Sequence, residues 1–455
     1  MNCFIGLDIG TSAVKGVALS QDGKVLAEAS GAFRYKKDDN SSLLEPSHFV
    51  QVCCDVIKKL SAGVGSDYQI AAICPCGASG NLVFLDAEMK PITDIIGWQS
   101  SIEEEELSAY YTEEDKNRVY QTVGWPAINS FPVAYFPWIR QNRPDILERS
   151  SRICMSVEYL NFKLTGKWGI APSMGTPFYL MDQEKGVYAP TTLAKFGISE
   201  EKLPPIYDKG TVLGTVTSTT AESLGLSEDT VIVLGSFDHP SCATGAGVYE
   251  CDEVLLSCGT SWVEFFPVES RERAIATGFL VDRYMLDGAP YCVMSSIASL
   301  SVKIDALKDR YLKGASYAEV DALASSSEKG CGGLEFDFTD ADFTKAEGCE
   351  RRHIARAIYE SAARLLSKNF AEAEEKGLCT SKVTMVGGIT NSRVCMQIIA
   401  DTIQKDIKVV NGVLSGAAGA AMLAGIGAKV FRNEKDAFSK MNFSEVWYHA
   451  DTSNA

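Results

Sequence analysis

The chain has 455 residues, 46% of them hydrophobic, and a formal charge of −16, which is enough chain for sizeable cores and two domains. That acidity argues against nucleic acid and anionic membranes as partners, because Lys and Arg supply such affinity. No apolar run approaches the roughly 18 residues of a membrane span and no basic leader precedes one, so a cytoplasmic protein is expected.

Taken in chain order, Cys3 to Leu19 reads as two β-rich runs flanking Gly10-Thr11-Ser12. A second turn at Gln21-Asp22-Gly23 leads into Val25 to Ala29, completing a β-meander. Glycine lets backbone N–H groups approach phosphate oxygens, Thr11 and Ser12 add donors, and Lys15 adds charge. Asp8, on the first strand, could hold a hydrated Mg²⁺ facing those phosphates, since hard cations prefer oxygen. The alternative is a hairpin with no ligand. Cys74-Pro75-Cys76 is the closest cysteine pair, without a partner at zinc spacing; with four His in the chain a zinc site is not expected. The fourteen cysteines read as reduced and mostly buried thiols. Glu103 to Glu106 reads as the solvated start of a helix, and Pro204-Pro205 and Lys209-Gly210 mark loops before a strand at Val212 to Val216.

The segment Gly235 to Gly247 puts Asp238 just after the apolar run Val231 to Leu234 and just before Ala243, Gly245, Ala246 and Gly247. A carboxylate at a strand end can take the proton of an attacking hydroxyl in phosphoryl transfer. It can equally cap the helix that follows. Glu253 to Phe266 then repeats the strand, Gly-Thr-Ser turn, strand pattern around Gly259, Thr260 and Ser261, as two homologous halves would. Arg351 to Lys376 has helical apolar spacing and ends at Gly377, a plausible C-cap. Lys382 to Ser392 runs from a strand into the Gly387-Gly388 turn, leaving room for a base and ribose, and then into the helix Arg393 to Ile403. Ser415 to Gly425 is a helix of small residues suited to close packing and read as purely structural.

In this order and spacing these segments resemble the FGGY carbohydrate kinase family, of xylulokinase-like and glycerol kinase-like enzymes, within the actin/Hsp70/sugar-kinase superfamily. The likeness spans Ile5 to about Gly427. It implies an α/β fold of two actin-like (ribonuclease H-like) ATPase domains flanking a cleft, here 1–244 and 245–455. It also implies ATP and Mg²⁺, with Asp238 as catalytic base and Asp8 near the metal. Gly10, Thr11, Ser12, Lys15, Gly259 and Thr260 would meet the phosphates, and Gly387, Gly388 and Asn391 the adenosine. The reaction implied is transfer of the γ-phosphoryl group of MgATP to a hydroxyl of a sugar, ketose or polyol. A non-catalytic sugar or nucleotide sensor and another ATPase of the superfamily are the alternatives. A homodimer is the default assembly.

The acceptor segments depart from the family pattern. Where many members carry Met-His after a glycine, this chain has Gly77-Ala78-Ser79-Gly80-Asn81, and Trp-x-Asp-x-Arg is replaced by Trp98-Gln99-Ser100-Ser101-Ile102. A frequent Asp beyond the Thr-Gly turn is replaced within Gly169 to Ser173, and His239 stands where an amide is common. Ser79, Asn81, Gln99 and Glu158 are the polar residues of these segments. Together with His239 they are the candidate acceptor ligands.

Overall fold

The computed structural model describes residues 1–38, 41–338, 346–411 and 414–451. Its two main sheets share one plan. In the first, strands β1 (Asn2–Ile9), β2 (Ala13–Ser20) and β3 (Val25–Ala32) form an antiparallel meander, and β4 (Gln69–Gly77) lies parallel to β1 on its other side. The connection from β3 to β4 carries α1 (Pro46–Gly63), whose buried Phe49, Cys53, Val56, Ile57 and Leu60 recur at helical spacing. Each such side chain contributes about 1.5–3 kcal/mol when removed from water. Strand β5 (Val212–Thr215) is the antiparallel edge beside β6 (Val231–Val233), which itself lies parallel to β4. Between β4 and β5 the chain forms, among other elements, α2 (Ser156–Thr165); after β6 comes α3 (Asp238–Ala246).

The second sheet repeats the plan. Strands β7 (Glu253–Cys258) and β8 (Trp262–Val268) form the hairpin, and β9 (Leu280–Arg283) and β10 (Tyr291–Ile297) extend it on the β8 side. Beyond α4 (Arg351–Glu375), β11 (Lys382–Gly387) runs parallel to β7. After α5 (Arg393–Ile403), β12 (Ile407–Asn411) runs parallel to β11. Two helices follow, α6 (Ser415–Gly427) and α7 (Glu434–Lys440), and then β13 (Ser444–Tyr448) pairs antiparallel with β12. In both sheets a meander is followed by parallel strands reached through helices and closed by an antiparallel edge, which is the mixed α/β arrangement read from the two Gly-Thr-Ser turns.

Helix α6 does not stay with the second sheet. Its alanines form one core with Phe4, Val17, Leu19, Ala72, Cys74 and Val233 of the first sheet, and it crosses α3 at backbone contact. A Cβ on Gly245 would lie 1.9 Å from the Ser415 carbonyl oxygen, and one on Gly419 would lie 1.9 Å from that of Ser241. Glycines here let two helices approach more closely than any side chain allows.

Candidate active site

The strand ends and turns converge on the start of α3. Asp8 sits near the end of β1, paired across the strands with Lys15 of β2 and Cys76 of β4. Burial pushes its carboxyl up to about 7, the Asp238 charge adds to that rise, and Lys15 opposes it. A Cβ on Gly416 of α6 would lie 2.5 Å from Asp8 Oδ2, so the carboxylate rests against bare helix backbone. Asp238 opens α3 at its first helical position, with Phe237 as N-cap residue. Its Oδ1 accepts the N–H of the next residue, His239, at 2.8 Å, but the helix has no side-chain cap bond, so Asp238 is not the cap. The side chain is about a quarter exposed.

Cys242, one turn into α3, marks the middle of this group. Burial pushes its thiol up to about 12, Asp8 and Asp238 raise it further, and Ser257 and Lys15 oppose them. Its Sγ lies 3.9 Å from Ser257 Oγ on β7, so α3 touches the second hairpin. Beneath Asp8, the Cys76 thiol donates to the Leu7 carbonyl at 3.1 Å and to Ser241 Oγ at 3.2 Å. Ser241 Oγ in turn donates to the Gly416 carbonyl at 2.9 Å. The sequence singles out Cys76 only in weighing a zinc site beside Cys74, and its bond to Ser241, 165 residues away, is visible only in the fold.

The first turn closes through Gly10 N–H to the Ala13 carbonyl at 3.0 Å, with Ser12 exposed. Thr11 Oγ1 accepts the indole N–H of Trp98 at 2.9 Å. In the second turn the carbonyls of Gly259 and Thr260 accept from Ser301 Oγ (2.6 Å) and Ser301 N–H (3.2 Å). Gly387, at the end of β11, has φ of +111°, and a Cβ there would meet the Cys258 carbonyl oxygen at 2.2 Å. Gly388 faces open space, and Asn391 is exposed beside it. Gly387-Gly388 therefore sits immediately against the end of the second hairpin.

The acceptor candidates are placed less uniformly. Asn81 and Gln99 line one small cavity together with Gly10, Thr11, Trp98 and Ser156. Asn81 Oδ1 accepts the Ser156 N–H at 2.7 Å and its Nδ2 donates to the Ala78 carbonyl at 3.3 Å, so much of its amide is already engaged. Ser79 Oγ is buried without a hydrogen-bond partner. Glu158 is not among the cavity residues. It is buried, burial pushes its carboxyl up to about 7 against the pull of the Glu158 and Met155 backbone, and its Oε2 has no hydrogen-bond partner among the described residues. His239 Nε2 lies 3.9 Å from Asp238 Oδ1, and its ring packs edge-on against Phe237 at 5.2 Å.

A run of aromatic rings escaped the sequence reading. Trp98 stacks on Phe131 at 5.7 Å, Phe131 meets Trp125 at 5.4 Å, and Trp125 meets Phe237 at 5.7 Å. A Cβ on Gly80, whose φ is +79°, would lie 2.3 Å from Phe131 Cδ1. The segment that lacks Met-His is thus filled from outside by the Phe131 ring.

Among the described residues no group of three or more His, Cys, Asp or Glu could hold a metal ion. The buried carboxyl of Asp8, raised by burial and by the Asp238 charge, is of the kind that fits Mg²⁺, which takes one or two carboxylates plus substrate phosphates and keeps several waters. No described helix is long and apolar enough to cross a membrane.

Residues 3–245 match the N-terminal domain model of the FGGY family of carbohydrate kinases, and residues 338–428 match its C-terminal domain model. The chain is similar to the xylulose kinase of Staphylococcus epidermidis, 26% identical over 94% of this chain and 88% of that one. It is also similar to the autoinducer-2 kinase of Klebsiella pneumoniae, 24% identical over 95% of this chain and 87% of that one. The crystal structure of ligand-bound xylulose kinase from Lactobacillus acidophilus has the same fold: TM-score 0.89, 18% identity, covering 99% of this chain and 94% of that one.

Proposed function

Because the chain belongs to the FGGY family of carbohydrate kinases, an ATP-dependent transfer to a sugar or polyol hydroxyl, we propose that Asp238 is the base of that transfer. The observation that carries this is the placement of α3, which Asp238 opens: its Cys242 lies 3.9 Å from Ser257 of the second Gly-Thr-Ser hairpin, and its Ser241 is bonded to Cys76, the cross-strand neighbour of Asp8. In an in-line transfer Asp238 takes the acceptor proton as its oxygen attacks the γ-phosphorus. The backbone of the two turns at Gly10 to Ser12 and Gly259 to Thr260, with Lys15, offsets charge on the moving group. Gly387, Gly388 and Asn391 carry the adenosine, Gly388 leaving the open space a base needs. Asp8 would hold Mg²⁺; a carboxyl pushed up to about 7 by burial and by a second carboxylate is one that a cation helps to ionise. Bound there, the ion would neutralise charge on the phosphate oxygens.

For the acceptor we propose Ser79, Asn81, Gln99 and His239 as polar contacts, with the ring of Phe131 supplying an apolar wall. Glu158 joins them in this proposal, its buried Oε2 having no hydrogen-bond partner among the described residues. We further propose the two-domain division at 244/245, with α6 as the exchange between the units, and a cytoplasmic location. Free buried thiols such as those of Cys3, Cys53, Cys74, Cys76 and Cys154 fit a reducing compartment.

The test is Asp238→Asn assayed by ADP release across ketoses, aldoses, polyols and small hydroxylated metabolites. A fall in kcat of about 10²–10⁴-fold is expected with ATP binding retained. Wild-type turnover in that variant would sink the assignment.

A further inference from the structure

A buried polar chain stands behind Asp238 and joins it to the other sheet. Ser173, in the short helix Pro172–Gly175, accepts the Phe237 N–H at Oγ (3.1 Å) and donates to Asp282 Oδ2 (2.7 Å). Asp282 lies on β9 of the second sheet. Its other oxygen accepts from Thr176 Oγ1 (2.7 Å) and from the Arg283 N–H (2.8 Å). Asp282 is 0% exposed and Ser173 2%.

The polarity of this chain is fixed by its members. An ionised carboxylate only accepts, so it takes the single proton of the Ser173 hydroxyl and turns a lone pair toward the Phe237 amide. Phe237 is the residue before Asp238 and the N-cap of α3, and its carbonyl receives the Ser241 N–H at 3.2 Å. Whatever holds Phe237 therefore sets the position and direction from which the Asp238 side chain leaves the backbone. A fully buried carboxylate is costly unless it is hydrogen-bonded on both oxygens, and here both are. Burial pushes Asp282 up to about 7, while Ser173, Thr176, the Arg283 amide and the Lys209 charge all act to keep it ionised.

We infer that Ser173 and Asp282 are positioning residues for phosphoryl transfer: Asp282, from the second sheet, orients the Ser173 hydroxyl, which holds the Phe237 amide and thereby aims Asp238. The inference rests on Asp238 acting as the base. It gives the replaced segment Gly169 to Ser173 a task in aligning the base rather than in binding the acceptor.

Turnover is read as ADP release from MgATP with an equimolar mixture of ketoses, aldoses and polyols as acceptor. In Ser173→Ala, kcat is expected to fall about 10–100-fold, the scale of a small misplacement of a reacting group, with the KM for ATP unchanged. Asp282→Asn should show the same split. Ser173→Thr, which keeps the hydroxyl, should recover most of the loss, and Ser173→Cys should fall between. In an Asp238→Asn background, Ser173→Ala should cost nothing further, because the two act through one group. Should Ser173→Ala not fold, the Thr and Cys variants carry the same comparison. Wild-type kcat in Ser173→Ala, no difference between Thr and Cys at this position, or a loss that adds fully to that of Asp238→Asn would overturn the inference. If Asp238→Asn itself keeps wild-type turnover, it is the base assignment that falls.

Discussion

At the scale of single residues, the groups legible in the sequence are those whose neighbours along the chain announce them. Asp8 stands near the end of β1 and Asp238 at the start of α3, each beside a glycine-rich stretch of chain. Cys76, Ser173, Phe131 and Asp282 were not legible, because each gains its meaning from a partner far along the chain. The same holds for Glu264 on β8, which is 0% exposed; it accepts from Ser295, and its Oε1 has no partner. Burial pushes its carboxyl from 4.5 up to about 7, against the hydrogen bonds from Ser295 and Asn369. A folded-state pKa above the unfolded one means stability that is present below pH 4.5 and lost as pH rises through about 7. Glu264→Gln should therefore melt higher than the wild type at pH 8, by the equivalent of about 1–3 kcal/mol, and alike only below the unfolded value of 4.5. Equal melting temperatures at pH 8 would contradict this. The Thr11–Trp98 bond has a directional effect of its own: an indole N–H only donates, so the Thr11 hydroxyl is left to give its proton onward, as an anion in the cleft requires.

Among elements, those with a strong internal period were read closely. Helix α4 begins at Arg351 and ends with Gly377 at φ +82° just beyond its cap, and α5 spans the Arg393 to Ile403 expected of it. Helix α6 was legible as a close-packing element but not as to what it packs on, since a run of Gly and Ala has little facial asymmetry. In the fold it lies between the elements bearing both carboxylates, so its packing has consequences for the chemistry. Gly419→Ala would drive a methyl into the Ser241 carbonyl oxygen, 1.9 Å away, and the two helices must part. A stability loss of about 1–3 kcal/mol is expected, together with a fall in kcat as Gly416 moves relative to Asp8. Gly388→Ala has nothing within 4 Å to meet. It should leave the melting temperature unchanged and raise the KM for ATP. An equal loss of stability in both variants would refute this division of roles.

Over the whole molecule, the sheet plan is repeated, and α3 touches the second hairpin at Ser257 and β4 of the first sheet at Cys76. Closure about that helix would exclude water, which otherwise competes for the phosphoryl group. Small-angle scattering should show a smaller radius of gyration with a non-hydrolysable ATP analogue and the acceptor mixture together than with either alone, and its forward intensity would read the expected homodimer. An unchanged radius with both ligands would argue against closure. The threading of α6 back onto the first sheet also has a consequence in time. Synthesis runs at about 5–20 residues per second, so Asp8 and Asp238 emerge from the ribosome roughly ten seconds or more before the helix backbone that seats them. Until then the first half carries both carboxylates over an uncovered apolar sheet face. A nascent chain that stops short of Ser415 would hold every residue proposed for the chemistry and still present no assembled site, and it would be the species most in need of a chaperone.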